Sequence, residues 1–102
     1  MTDTLRPMFD PPHPGEFLNE TYLLALGISA RALASALGVA ATTVTRVVGQ
    51  SARVTPDLAV RLEVVLGRSA ESWLRMQDAF DLHQARSAVD TSHLERLTLA
   101  VA

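Results

Sequence analysis

Apolar positions recur at helical spacing from residue 14 into the middle eighties, in blocks parted by glycine or by a polar capping residue. Phe17, Leu18, Tyr22 and Leu26 fall near one face of a first helix, expected from residue 14 to about 26 and closed by Gly27. Pro14 suits its first turn, where the missing amide would be unpaired anyway, and Glu16 sits near the positive end of the macrodipole. Ser29 then precedes an alanine-rich run ended by Gly38, which predicts a short second helix over 30–37. Residues 41–48 predict a third helix, with Val44, Val47 and Val48 on one side, Thr42, Thr43, Thr45 and Arg46 mostly on the other, and Gly49 as its stop. Valine and threonine are poor intrinsic helix formers, so propensity alone favours a strand here and packing has to impose the helix.

Thr55, Pro56 and Asp57 supply a cap, a first-turn proline and an acid for a fourth helix to about residue 66, whose buried stripe is Leu58, Ala59, Leu62, Val65 and Leu66. Ser69 and Glu71 open a fifth, with Trp73, Leu74, Met76, Gln77, Phe80 and Asp81 tracing an amphipathic pattern to about residue 86. Pro7, Pro11 and Pro12 keep residues 1–13 out of helix, so an extended N-terminal arm is expected there. Residues 87–102 stay open: Leu94, Leu97, Leu99 and Val101 alternate late like a strand, yet fit a frayed helical extension as well.

With 102 residues, 48% apolar and 20% charged, the chain fits one domain, which excludes most large enzyme architectures. The formal charge of −2 and a pI near 5.8 argue against wholesale coating of nucleic acid or an acidic membrane. Distribution matters more than the total. From Thr21 to Pro56 there is no Asp or Glu, while Arg31, Arg46 and Arg53 are present, so the middle of the chain is the part compatible with a polyanion. The absence of cysteine excludes disulfides and thiolate metal sites and is compatible with a reducing cytoplasm. No apolar run approaches the roughly 20 residues that span a bilayer, and the acidic, proline-rich start lacks an apolar core, so neither export nor membrane insertion is indicated.

The candidate chemistry lies between the second and third helices. Ala34 occupies a position where two helices cross closely, Gly38 turns the backbone at little steric cost, and Leu33, Leu37, Val39, Val44 and Val47 seal the crossing. This is helix-turn-helix spacing over about residues 30–49, although an ordinary helical hairpin shares much of it. The arrangement leaves Ala40, Ala41, Thr42, Thr45, Arg46 and Gln50 free of the core, with Thr43 at the margin, on a face that fits a major groove. Thr42, Thr45, Arg46 and Gln50 are therefore the base-contact candidates. Arg46 leads them, since a bidentate pair to guanine discriminates by about 1–3 kcal/mol, although arginines reach phosphate more often than bases. Ser29, Arg31, Thr43, Ser51 and Arg53 are the phosphate candidates; simple helix capping is the plainer role for Ser29.

On these residues the chain resembles the HigA-type antitoxins, within the wider Xre and Cro-like helix-turn-helix class. The resemblance rests on Asp10-Pro11-Pro12-His13-Pro14-Gly15-Glu16 before the first helix, Leu33-Ala34-Ser35-Ala36-Leu37-Gly38-Val39, the loop from Gly49 to Arg53, and the stretch from Thr55 to Leu66. It continues in Ser72-Trp73-Leu74, Met76-Gln77 and Phe80-Asp81-Leu82, and covers about residues 9–86. It implies an all-α, five-helix domain of the Xre/Cro/lambda-repressor-like kind over residues 14–86, flanked by the arm and the tail. It further implies a homodimeric repressor of a palindromic operator in its own promoter. Its expected toxin partner is of the HigB type, an endoribonuclease acting on ribosome-bound messenger RNA. Two copies would set their third helices about 34 Å apart in successive major grooves. One departure stands out: many relatives begin the recognition helix with serine or a charged residue, and this chain has Ala40 and Ala41.

Other readings are weaker. His13, His83 and His93 lack metal-site spacing and read as surface histidines; no metal or cofactor is expected. Asp78 and Asp81 share a helical face without a nucleophile and base beside them, and read as a charged outer face rather than catalytic groups. Trp73 and Phe80 are expected in the core. A stand-alone repressor without a toxin, and an interaction module that keeps the helix-turn-helix only as a scaffold, remain the alternatives.

Overall fold

The chain runs through α1 (Pro14–Leu18), a π-helical stretch continuous with it (Asn19–Leu24), α2 (Ala30–Leu37), α3 (Ala41–Val48), α4 (Pro56–Leu66) and α5 (Ala70–Ala88). This is a computed structural model that describes residues 10–98, and among those residues there is no strand, as the all-α expectation requires. Side-chain caps fix four helix starts, that of α1 by His13 and the others by hydroxyl groups. Ser29 Oγ accepts from the Ala32 N–H at 3.0 Å, Thr55 Oγ1 from Leu58 at 3.2 Å and Ser69 Oγ from Ser72 at 3.1 Å. Gly27, Gly38 and Gly67 all take positive φ after α-helical segments, as C-terminal glycines do.

The core is built from Leu18, Leu23, Leu33, Ala34, Leu37, Val44, Val47, Val54, Leu58, Ala59, Leu62 and Trp73. Trp73 lies at its centre with Phe17 edge-on at 5.7 Å, and its indole N–H finds no acceptor among the described residues. Arg68 stacks over the outer side of Phe17, 4.6 Å from the ring centre.

The first helix departs from its expected face. The π-helical stretch bonds i to i+5, so the residue that follows Leu18 into the core is Leu23, while Leu26 is 63% exposed and Tyr22 half-buried. In α4 the stripe is narrower than expected. Leu58, Ala59 and Leu62 are buried, but Val65 sits at the edge of the stripe and is exposed. Phe80 is half-buried against the His13 ring rather than deep in the core.

His13 is not a surface histidine. It is 3% exposed, caps α1 by accepting the Gly15 N–H on Nδ1 at 2.9 Å, and meets Phe80 edge-on at 4.9 Å. The sequence Pro-His-Pro-Gly places a ring nitrogen where a shorter polar side chain more often serves as cap. Pro11 and Pro12 lie outside the helix, and the chain is anchored beside them by His13; residues 1–9 of the expected arm lie outside the described residues.

At the other end α5 runs to Ala88, two residues past the expected stop. Residues 89–98 form neither helix nor strand, and Leu94 and Leu97 are exposed. Their alternation therefore builds no strand as far as Thr98; Leu99 and Val101 fall outside the described residues.

Candidate nucleic-acid interface

Three contacts set the attitude of α3. From below, Val44 and Val47 are each 1% exposed against the core. On one flank, Gly15 of α1 meets the Val47 carbonyl so closely that a β-carbon there would overlap it. On the other, α2 crosses at Leu33, Ala34 and Leu37, and the corner closes through Gly38, φ 73°, with the Val39 N–H donating to the Ala34 carbonyl at 3.0 Å. Arg61 of α4 braces this corner, donating from a terminal guanidinium nitrogen to the Leu37 carbonyl at 2.9 Å while its Nε pairs with Asp57 at 2.6 Å. The sequence reading did not anticipate Arg61, because its partner is 24 residues away and no local pattern links them.

Held this way, α3 turns Thr42, Thr45 and Arg46 to solvent and leaves Thr43 half-buried at the margin. Thr45 donates its hydroxyl hydrogen to the Thr42 carbonyl at 3.2 Å. No side chain caps α3 at Ala40; in its first turn the Thr43 N–H donates to the Ala40 carbonyl at 3.0 Å.

α3 ends at Gly49 as expected, without a left-handed glycine. Gly49 has an ordinary φ of −79°, and it is Gln50 that enters the left-handed region, at 64°. The chain turns back because the Arg46 carbonyl accepts from the Ser51 and Ala52 N–H groups at 2.9 and 3.2 Å, and from the Ser51 hydroxyl at 3.2 Å. Ser51 thus already uses its hydroxyl donor within the protein, whereas Ser29 accepts with its oxygen and keeps its hydroxyl hydrogen.

Two surface depressions gather most of the candidates. Thr43, Arg46 and Arg53 border one of about 420 Å³, with Thr55 and Asp57 on its far wall. Gln50, Ser51 and Arg53 border the second, which reaches across to His13, Phe80 and Asp81. Ser29 and Arg31 border neither; they stand exposed at and just inside the opening of α2.

Arg53 joins the two depressions, and it is paired: one terminal nitrogen lies 2.8 Å from Asp81 Oδ2. Asp81 thus pairs with a candidate residue from across the fold, a partnership its position on a helical face could not reveal. Burial pushes the His13 imidazole below its ordinary pKa of 6.5; Asp81 opposes that shift, Arg53 adds to it, and Glu16 opposes it. Among the described residues, no group of three potential metal ligands comes together, and no helix is long and apolar enough to cross a membrane.

No protein-family model matches the chain. Individual proteins do. The uncharacterised HTH-type transcriptional regulator YddM of Escherichia coli K12 is 39% identical over 90 residues, 88% of this chain and 95% of its own. The solved antitoxin GraA superposes with a TM-score of 0.82 at 41% identity, over 86% of this chain and 98% of its own. Pseudomonas aeruginosa antitoxin HigA, solved with the higBA promoter, superposes at 0.74 with 38% identity, over 76% of this chain and 85% of its own. The chain belongs to the HigA-type antitoxins. Its fold is the five-helix helix-turn-helix fold of that family, with α2 and α3 as the motif. In this HigA-type chain α3 starts without a side-chain cap at Ala40, and the left-handed residue at its end is Gln50.

Proposed function

We propose that this chain is an antitoxin that represses its own promoter, binding operator DNA as a homodimer through α3 and neutralising a HigB-type ribonuclease toxin. One observation carries the reading. The only long acid-free stretch of the chain, residues 21–56, contains α2, α3 and the outward face of α3, in a fold shared with a HigA solved with promoter DNA. An acidic residue there would repel phosphate; its absence, with three arginines present, suits a local polyanion contact on a chain of net charge −2.

Roles follow from placement. Arg46, with Thr42, Thr45 and Gln50, reads base edges in the major groove, the threonine methyl groups meeting thymine. Arg31, Arg53, Thr43 and Ser29 contact phosphates and fix register, and Ser51 joins them by exchanging its bond to the Arg46 carbonyl. Residues 14–86 form the DNA-binding unit, and the tail after it is separate from this task. The chain carries no catalytic group, needs no cofactor, and acts in the cytoplasm, where its promoter is. The mild net negative charge complements a basic toxin.

The test is a gel-shift titration with the gene's own upstream DNA, with and without the product of the neighbouring gene. A sequence-preferring shift altered by a small basic neighbour supports both halves of the reading. The similarity to YddM, named an uncharacterised HTH-type transcriptional regulator, favours a second reading, repression without a toxin. A DNA shift indifferent to the neighbour would select it.

A further inference from the structure

We propose that Gln77 and Asp81 of α5 are positioning residues for DNA binding, which together hold the Arg53 guanidinium at the edge of the α3 face in the orientation that meets a phosphate. The proposal rests on the reading of Arg53 as a phosphate contact.

The α5 helix grips the segment after α3 twice, at consecutive residues. Gln77 is 1% exposed, and its Oε1 accepts the buried Val54 N–H at 2.7 Å. Its Nε2 donates to Asp81 Oδ1 at 3.0 Å, and the other oxygen of that carboxylate lies 2.8 Å from Arg53. A chain of polar contacts thus runs from the backbone of residue 54, through a buried amide, to the surface side chain of residue 53.

An ordinary surface pair has two mobile ends and contributes little. Here the carboxylate is tied on its inner oxygen and cannot follow a wandering guanidinium, so it fixes one edge of the fork. Arg53 keeps more than half of its side chain exposed, at 56%. An arginine already confined loses less freedom when it meets phosphate. Charge alone argues the other way: a carboxylate beside a bound phosphate repels it, so removing Asp81 would tighten binding if orientation did not matter. The two effects have opposite signs, which makes the question decidable.

The experiment measures affinity for the gene's own upstream duplex over a range of salt for Asp81→Asn, Arg53→Lys and Arg53→Ala, with thermal melting as the check on fold. Asparagine retains the acceptor for Gln77 but not the charge that holds Arg53. Asp81→Asn is expected to bind about three- to fivefold more weakly with no shallower salt slope, and to cause no further loss on top of Arg53→Ala. Arg53→Lys, which keeps the charge without the fork and touches no core residue, is expected to lose a similar factor at unchanged slope. Arg53→Ala should lower the slope by about one. Wild-type or tighter binding by Asp81→Asn, or wild-type binding by Arg53→Lys, overturns the positioning role. Unchanged affinity and slope for Arg53→Ala would instead overturn the phosphate contact itself.

Discussion

Gly15 of α1 presses its α-carbon against the Val47 carbonyl of α3, leaving no space for a side chain. This contact joins the entry of the fold to the helix assigned to DNA, so the depth of α3 depends on a residue 32 positions earlier in the sequence. Its φ is unremarkable in sign, so close approach, not backbone freedom, is what requires glycine here.

Gly15→Ala is expected to destabilise the fold by about 1–3 kcal/mol, since one helix must move away from the other. The check is chemical denaturation. A variant as stable as the parent would mean that the helices separate at no cost.

At the other end of α3 the strain is in the backbone. Gln50 holds φ 64°, a conformation that costs a side-chain-bearing residue about 1–2 kcal/mol. Gln50→Gly relieves it, partly offset by the greater freedom of glycine in the unfolded chain, and is expected to raise stability by up to about 1 kcal/mol. Thermal melting reads this as a few degrees. The same variant removes a proposed base contact, so stability should rise as DNA preference weakens.

Arg61 tests the brace under the helix-turn-helix corner. Arg61→Ala removes the donor to the Leu37 carbonyl and the partner of Asp57. With the side chain partly exposed, a loss of about 1 kcal/mol is expected. A double-mutant cycle with Asp57→Ala should assign only a small part of it to the ion pair, which is exposed and weak.

His13 makes stability depend on pH. Its folded pKa is lowered, chiefly by burial, so the folded state binds the proton less readily than the unfolded chain does. The stability this gives is complete above the unfolded value of 6.5 and is lost as pH falls from there towards the folded value. Protonation also removes the lone pair with which Nδ1 accepts the Gly15 N–H. Denaturation of the parent and of His13→Asn, which can still cap the helix, should diverge between pH 8 and pH 5, the parent losing more on acidification. Parallel profiles would contradict the assignment.

Much of this was readable from the chain alone, for reasons that are local. Ser29, Thr55 and Ser69 announce helix starts because a cap bonds three residues ahead, and Leu33, Ala34 and Leu37 announce a buried face because helical spacing repeats within one element. What escaped is of two kinds. Leu23 and Leu26 exchange places because a π-turn adds a residue that a 3.6-residue period does not foresee. Arg61, Gln77 and Asp81 escaped because their partners Leu37, Val54 and Arg53 are 23 to 28 residues distant, and only the packed helices bring them together. In the candidate site, the exposure of Thr42, Thr45 and Arg46 follows from the same periodicity that buries Val44 and Val47. The pairing of Arg53 does not.

The outward face of α3 is decided most directly by equilibrium titration of the gene's own upstream duplex, and of duplexes altered one base pair at a time, with the parent and with Arg46→Ala. The parent should prefer its own sequence, and Arg46→Ala should lose about 1–3 kcal/mol of discrimination at one position in each half-site while keeping its preference elsewhere. A parent that binds its own and scrambled duplexes alike, or an Arg46→Ala variant that loses the same affinity on both, would contradict base reading by this helix.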